Sequence, residues 1–173
     1  MIGNDVKEFH HTYRNKTGWA VCLMLMLTVV VIPAAAESLP PLSPGPGDKC
    51  PVCGMFVAKY PDWVAQVRFA DGKTAFFDGV KDLLKFYFDI GHYQPGRSAA
   101  DIGGVYVTDY YTLEPIAAEA AFFVVGSNVY GPMGRELIAF AAEDQAREFL
   151  RDHRGREILR FDAVTPELLR SLD

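Results

Sequence analysis

Cysteine is scarce in this chain of 173 residues: three in all, too few for a disulfide scaffold. Basic residues are outnumbered, 17 against 22 acidic, and a formal charge of −5 provides no basic face for nucleic acid. Long apolar runs are missing as well. The stretch from Trp19 to Ile32 covers 14 residues including Thr28, short of the roughly 20 that a membrane helix needs. Only one C-x-x-C pair is present, so a zinc site built from two cysteine pairs is excluded. What is there is a chain half hydrophobic and 13% aromatic, the composition of a folded domain rather than a disordered one.

The first 36 residues read as a secretory signal. Lys7, Arg14 and Lys16 precede the apolar run, and Pro33 and Ala34-Ala35-Ala36 follow it as a small-residue cleavage site. Cleavage there removes three basic and two acidic residues, taking the formal charge from −5 to −6. Cys22 leaves with the signal, and no small-residue pattern precedes it, so lipidation at a cysteine finds no support. The expected location is the periplasm, with a membrane tether only if the N-terminal segment stays uncleaved. Residues 37–49, ESLPPLSPGPGDK, read as a flexible or polyproline-like linker.

The remaining 50–173 reads as one compact mature domain of the α+β class, built from two ββαβ-like units at about 50–98 and 104–163. In the first unit Val64–Ala70 alternates as a strand, Asp71-Gly72 signals a hairpin, and Lys73–Phe77 returns. Asp78 is placed to cap a helix whose Val80, Leu83, Leu84 and Tyr87 share a face, with Gly91 placed to end it. In the second unit Val105–Thr108, Leu113–Ile116, Ala121–Val125, Glu136–Ala141 and Glu157–Phe161 read as strands. Ala142–His153 reads as a helix, and Thr165-Pro166 opens a terminal one.

The chemistry concentrates in Cys50-Pro51-Val52-Cys53-Gly54-Met55, two thiols and a thioether within six residues. Soft sulfur donors select Cu(I), for which two or three are enough. Cys53 and Met55, two apart, face the same way if the segment is a strand, and Gly54 lets the backbone bend between them. Met133, between Pro132 and Gly134, sits in a turn rather than on an apolar face, and is the second sulfur candidate. His92 is a further candidate in a Gly/Pro-rich loop. Tyr106, Tyr110 and Tyr111 read as packing residues. Two rival readings stay open on the residues alone. Cys50 and Cys53 can serve a thiol–disulfide oxidoreductase, or the Cys-Gly-Met segment can open a metal-sensing or storage module of the YHS/TRASH type.

Taken together, Cys50–Met55, Phe76-Phe77-Asp78 and Gly131-Pro132-Met133-Gly134 followed by Glu136–Phe140 resemble the NosL family across essentially the whole mature chain. That resemblance implies an exported copper(I)-binding accessory protein for nitrous oxide reductase maturation, acting by delivery rather than as an enzyme. It implies that Cys53 and Met55 match the C-x-M copper motif and that Met133 matches the second-half methionine. Cys50 is then an auxiliary donor or a redox lock. The implied partner is a copper-receiving or assembly protein, such as an ABC-type maturation complex. Many family members are lipoproteins, and this chain departs from that pattern.

Overall fold

A computed structural model describes residues 39–173. The segment expected as a signal peptide, its expected cleavage site and Cys22 lie outside them. Among the described residues no helix is long and apolar enough to cross a membrane.

The first sheet is an antiparallel meander with one excursion. Strand β1 (Ala65–Phe69) turns through Asp71 and Gly72, the latter at φ +84°, into β2 (Thr74–Phe77). Helix α1 (Val80–Phe88) follows, then the short α2 (Ile90–Tyr93), then β3 (Ile102–Thr108) and β4 (Pro115–Ala117), giving the order β2-β1-β3-β4. The second sheet comes from β5 (Phe122–Val125), β8 (Ile138–Phe140) and β9 (Glu157–Arg160), in the order β8-β5-β9. Helix α3 (Glu143–Asp152) connects β8 to β9. Each half therefore has its first strand in the centre, its second and third strands antiparallel on either side, and a helix between those two. The expected tandem ββαβ plan is observed, but its division is corrected: Val105–Thr108 and the strand after it, expected in the second unit at 104–163, add to β1 as β3 and β4 and complete the first sheet, so the second half begins only with β5.

The second half carries an insertion: a two-rung hairpin, β6 (Tyr130–Gly131) and β7 (Gly134–Arg135), with Pro132-Met133 at its tip. The Glu136–Ala141 strand of the sequence reading is shortened accordingly to Ile138–Phe140. The chain closes with α4 (Pro166–Arg170), where the Thr165 hydroxyl accepts from Leu168 N as an N-cap should.

Apolar faces account for the packing. Phe77, Leu83, Leu84 and Phe86 meet Val105 and Val107 in the main core, joined by Phe123, Val125, Leu137 and Ala139 of the second half. The alternate residues Val124, Ile138 and Phe140 point the other way and meet Ala146 and Phe149 of α3. The second sheet is thus covered on both faces, which is why Ala121–Val125 reads as an unbroken apolar run. Three further expectations are corrected. Gly91 does not end the helix, since the chain turns directly into α2 with Gly91 inside it. Leu113 precedes β4 with φ +60° rather than opening a strand. The described part of the 37–49 linker lies against the sheet: Leu42 exchanges two hydrogen bonds with the Gln66 side chain, and the Tyr106 hydroxyl donates to Leu39 O. That cover is why Gln66, on the face expected to be wet, is buried.

Candidate metal centre

The cysteine segment is a closed turn, not the entry to a strand. Cys50 N donates to Met55 O and Gly54 N to Cys50 O, both at 2.9 Å, and Gly54 takes φ +79°. That left-handed conformation suits glycine and lets the six residues fold back on themselves. The turn is clamped outside by an antiparallel bridge between Lys49 and Phe56. Its effect is to aim both thiols the same way, toward the start of α1. The Cys50 thiol donates to Asp82 Oδ2 at 3.4 Å, and the Cys53 thiol donates to Asp78 Oδ1 at 3.1 Å. One ligand atom from each of Cys50, Cys53, Asp78 and Asp82 lies within 4.8 Å of every other.

Asp82 lies in the first turn of α1 and Asp78 just ahead of its N-cap, Gly79, so the bend that leads into the helix brings both carboxyl groups to the thiols. Cys50, Asp78 and Asp82 are buried, and Cys53 is half-buried. Asp78 Oδ2 has no hydrogen-bond partner among the described residues, although it is fully enclosed. A buried carboxyl oxygen left unpartnered beside two thiols has the character of a ligand position. Burial is the main reason that both thiols are held in the protonated form, with a smaller push from the neighbouring carboxyl groups. The Cys53 thiol is raised to about 12, and Cys50, more deeply enclosed, higher still. An oxidoreductase needs the opposite, a thiol lowered toward neutrality, so the site's electrostatics oppose that reading.

Asp78 was placed by its sequence context as the helix cap. The structure puts Gly79 in that position and gives the capping role to Glu136, 55 residues away. Glu136 Oε1 accepts from Lys81 N at 2.6 Å and from Leu137 N at 2.9 Å. With the helix end satisfied from the other half, Asp78 is free to face the cysteines. Burial pushes the Glu136 carboxyl up to about 8, against the lowering influence of those two N–H groups and of the Lys81 charge.

The remaining sequence candidates divide cleanly. Met55 is half-buried in the same turn as the thiols. Met133 is 41% exposed, and its backbone is tied to the same helix end: Lys81 Nζ donates to Met133 O at 3.0 Å. His92 sits in α2, beyond the far end of α1, packed edge-on against Tyr93. The length of α1, nine residues, separates the start of α2 from the helix end that faces the cysteines. Tyr110 and Tyr111 pack on Phe140 and Phe149. Sequence reasoning passed over Asp82, Lys81 and Glu136. The i, i+4 spacing of Asp78 and Asp82 was an available signal for the first; nothing local points to the other two.

Three comparisons bear on this arrangement. The model of a family described as NosL matches residues 41–169. The copper-binding lipoprotein NosL of Stutzerimonas stutzeri is 31% identical over 142 residues, covering 77% of this chain and 70% of that protein. The crystal structure of the copper chaperone NosL from Shewanella denitrificans superposes with a TM-score of 0.63 at 26% identity, covering 74% of this chain and 97% of that one. These relatives are named as copper-binding or copper-carrying proteins and not as enzymes.

Proposed function

The chain belongs to the NosL family, and on that premise we propose that it carries one Cu(I) ion as cargo and passes it to a partner protein outside the cytoplasm. The observation that carries this reading is the convergence of Cys50 and Cys53 on one point of the fold, with Met55 in the same turn. Cys53, Met55 and Met133 are the proposed donors, and Cys50 the auxiliary one. Thiolate and thioether sulfur match a soft monovalent ion. A site with so few donors, one of them on a half-exposed hairpin tip, favours exchange with an incoming ligand over permanent retention.

Loading requires the Cys53 thiol to exchange its proton for the metal: the S–H bond breaks, a sulfur–copper bond forms, and one proton departs. Asp78 already accepts that hydrogen at 3.1 Å, so the route for the proton begins at its carboxyl group. Release is the reverse, with the proton returning as a partner's donor takes the metal. The proposed destination is the assembly of nitrous oxide reductase, through a copper-receiving protein or an ABC-type maturation complex in the periplasm. Family membership is the support for that step.

The test is titration of the full chain, reduced and handled anaerobically, with Cu(I) against a competing chelator. One tightly bound copper per chain is expected, and Cys53→Ser should weaken binding by at least tenfold. Absence of stoichiometric binding, or an unaltered Cys53→Ser titration, refutes the carrier reading.

A further inference from the structure

We propose that Lys81 and Glu136 are positioning residues for the cargo site, gripping the Met133 hairpin of the second half against the helix end that carries Asp78 and Asp82. The proposal rests on the reading above that Met133 is a donor, and names what places it. Lys81 lies between the two aspartates in the first turn of α1 and is 3% exposed. A buried ammonium is costly unless its hydrogens are taken up. Here Nζ donates to Met133 O at 3.0 Å and to Leu172 O at 3.3 Å, with Asp173 Oδ1 at 3.5 Å. The first of those acceptors is 52 residues away and belongs to the residue assigned as the second-half donor.

Glu136 secures the same hairpin from its base. It follows β7 directly, and its carboxyl group is anchored on Lys81 N. Backbone closes on its side chain from both sides, at Gly131 of the hairpin and at Gly79 ahead of α1. A Cβ added at Gly131 would lie 3.2 Å from Glu136 Cγ and 3.3 Å from Trp63 Cε3, and one added at Gly79 would lie 2.2 Å from Glu136 Oε2. One lysine thus binds both ends of the junction: its backbone N–H holds Glu136, and its ammonium holds the hairpin tip. The Met133 backbone is fixed in place while its side chain, 41% exposed, keeps rotamer freedom. A thioether on a fixed backbone can close on a metal and open again without moving the hairpin.

The experiment is a double-mutant cycle on the full chain, reduced, with Cu(I) affinity measured by chelator competition. Sulfur coordination is counted in parallel by X-ray absorption at the copper edge. Met133→Leu should weaken binding about tenfold or more and remove one sulfur from the shell. Lys81→Leu removes the ammonium and brings no sulfur of its own. It should produce a loss of the same order, within the roughly 10- to 100-fold typical of residues that orient ligands, and the same missing sulfur. The double variant should bind no more weakly than Met133→Leu alone. Wild-type affinity in Lys81→Leu beside a weakened Met133→Leu overturns the proposal, as do losses that multiply in the double variant. A Met133→Leu protein that binds like wild type removes the donor assignment itself, and the positioning role with it. Where Lys81→Leu does not fold, Lys81→Gln, shorter and uncharged, enters the same cycle with the same expected signs.

Discussion

Substituting Gly79 by alanine probes the joint on which the two halves meet. Gly79 has φ 173° and ψ 162°, extended backbone that any residue adopts, so the added methyl group meets no conformational penalty. Its obstacle is the Glu136 carboxyl, whose Oε2 would stand 2.2 Å from the new Cβ and whose Cδ would stand 3.1 Å away. An exposed glutamate would swing aside at little cost. Glu136 is 3% exposed and holds Lys81 N and Leu137 N through its other oxygen. Moving it by the ångström or so required breaks both bonds and leaves two buried donors unpaired, each costing about 1–3 kcal/mol. Gly79→Ala should therefore lose about 2–6 kcal/mol in urea unfolding followed by circular dichroism, with Tm lowered by roughly 10 °C for a domain of this size. The Gly79→Ala/Glu136→Ala double variant should be no less stable than Glu136→Ala alone, because the methyl then occupies vacated space. A Gly79→Ala protein within about 0.5 kcal/mol of wild type refutes the distant cap.

Four further outcomes follow from the same coordinates. Glu136 carries a raised folded pKa of about 8 against an ordinary value of 4.5, so the stability it contributes is full below about pH 4.5 and is lost as pH rises through 8; urea midpoints across that range should decline in wild type and flatten in Glu136→Gln. Asp109 behaves oppositely: burial works against its charge, but hydrogen bonds from Thr112 N, Ala141 N, Thr112 Oγ1 and Tyr111 N outweigh it and hold the carboxyl below the usual range. Asp109→Ala should cost about 2–4 kcal/mol at neutral pH, and the gap to wild type should narrow as acid protonates the native carboxylate below about pH 4. Phe149→Ala empties the cluster between α3 and the second sheet and should cost about 3–5 kcal/mol while copper stoichiometry stays at one, read by unfolding and titration together. Copper uptake at pH 7 should release about one proton per ion from Cys53, whose thiol is raised to about 12, and a pH-stat should record that release falling away in Cys53→Ser.

The sequence by itself determined most features whose cause lies within a few residues, Gly91 and Leu113 being exceptions. Alternation at Ala65–Phe69, the Asp71-Gly72 turn, the helical spacing of Val80, Leu83 and Leu84, and the Thr165-Pro166 start all report local backbone preference. The two-unit plan followed from reading them twice along the chain. The clustering of Cys50, Cys53 and Met55 was equally legible, since proximity in sequence is already proximity in space. What only the tertiary structure decided is what those local pieces face. Cys53 finds Asp78 across 25 residues and Cys50 finds Asp82 across 32, while the cap on α1 arrives from Glu136 across 55. Asp78 stands where a helix cap belongs, and every short-range rule assigns it there. It turns to the thiols because a carboxyl from the other half has satisfied the helix end first. A hydrogen bond depends on distance in space, which the sequence does not state for residues so far apart; packing the two halves around one core supplies it.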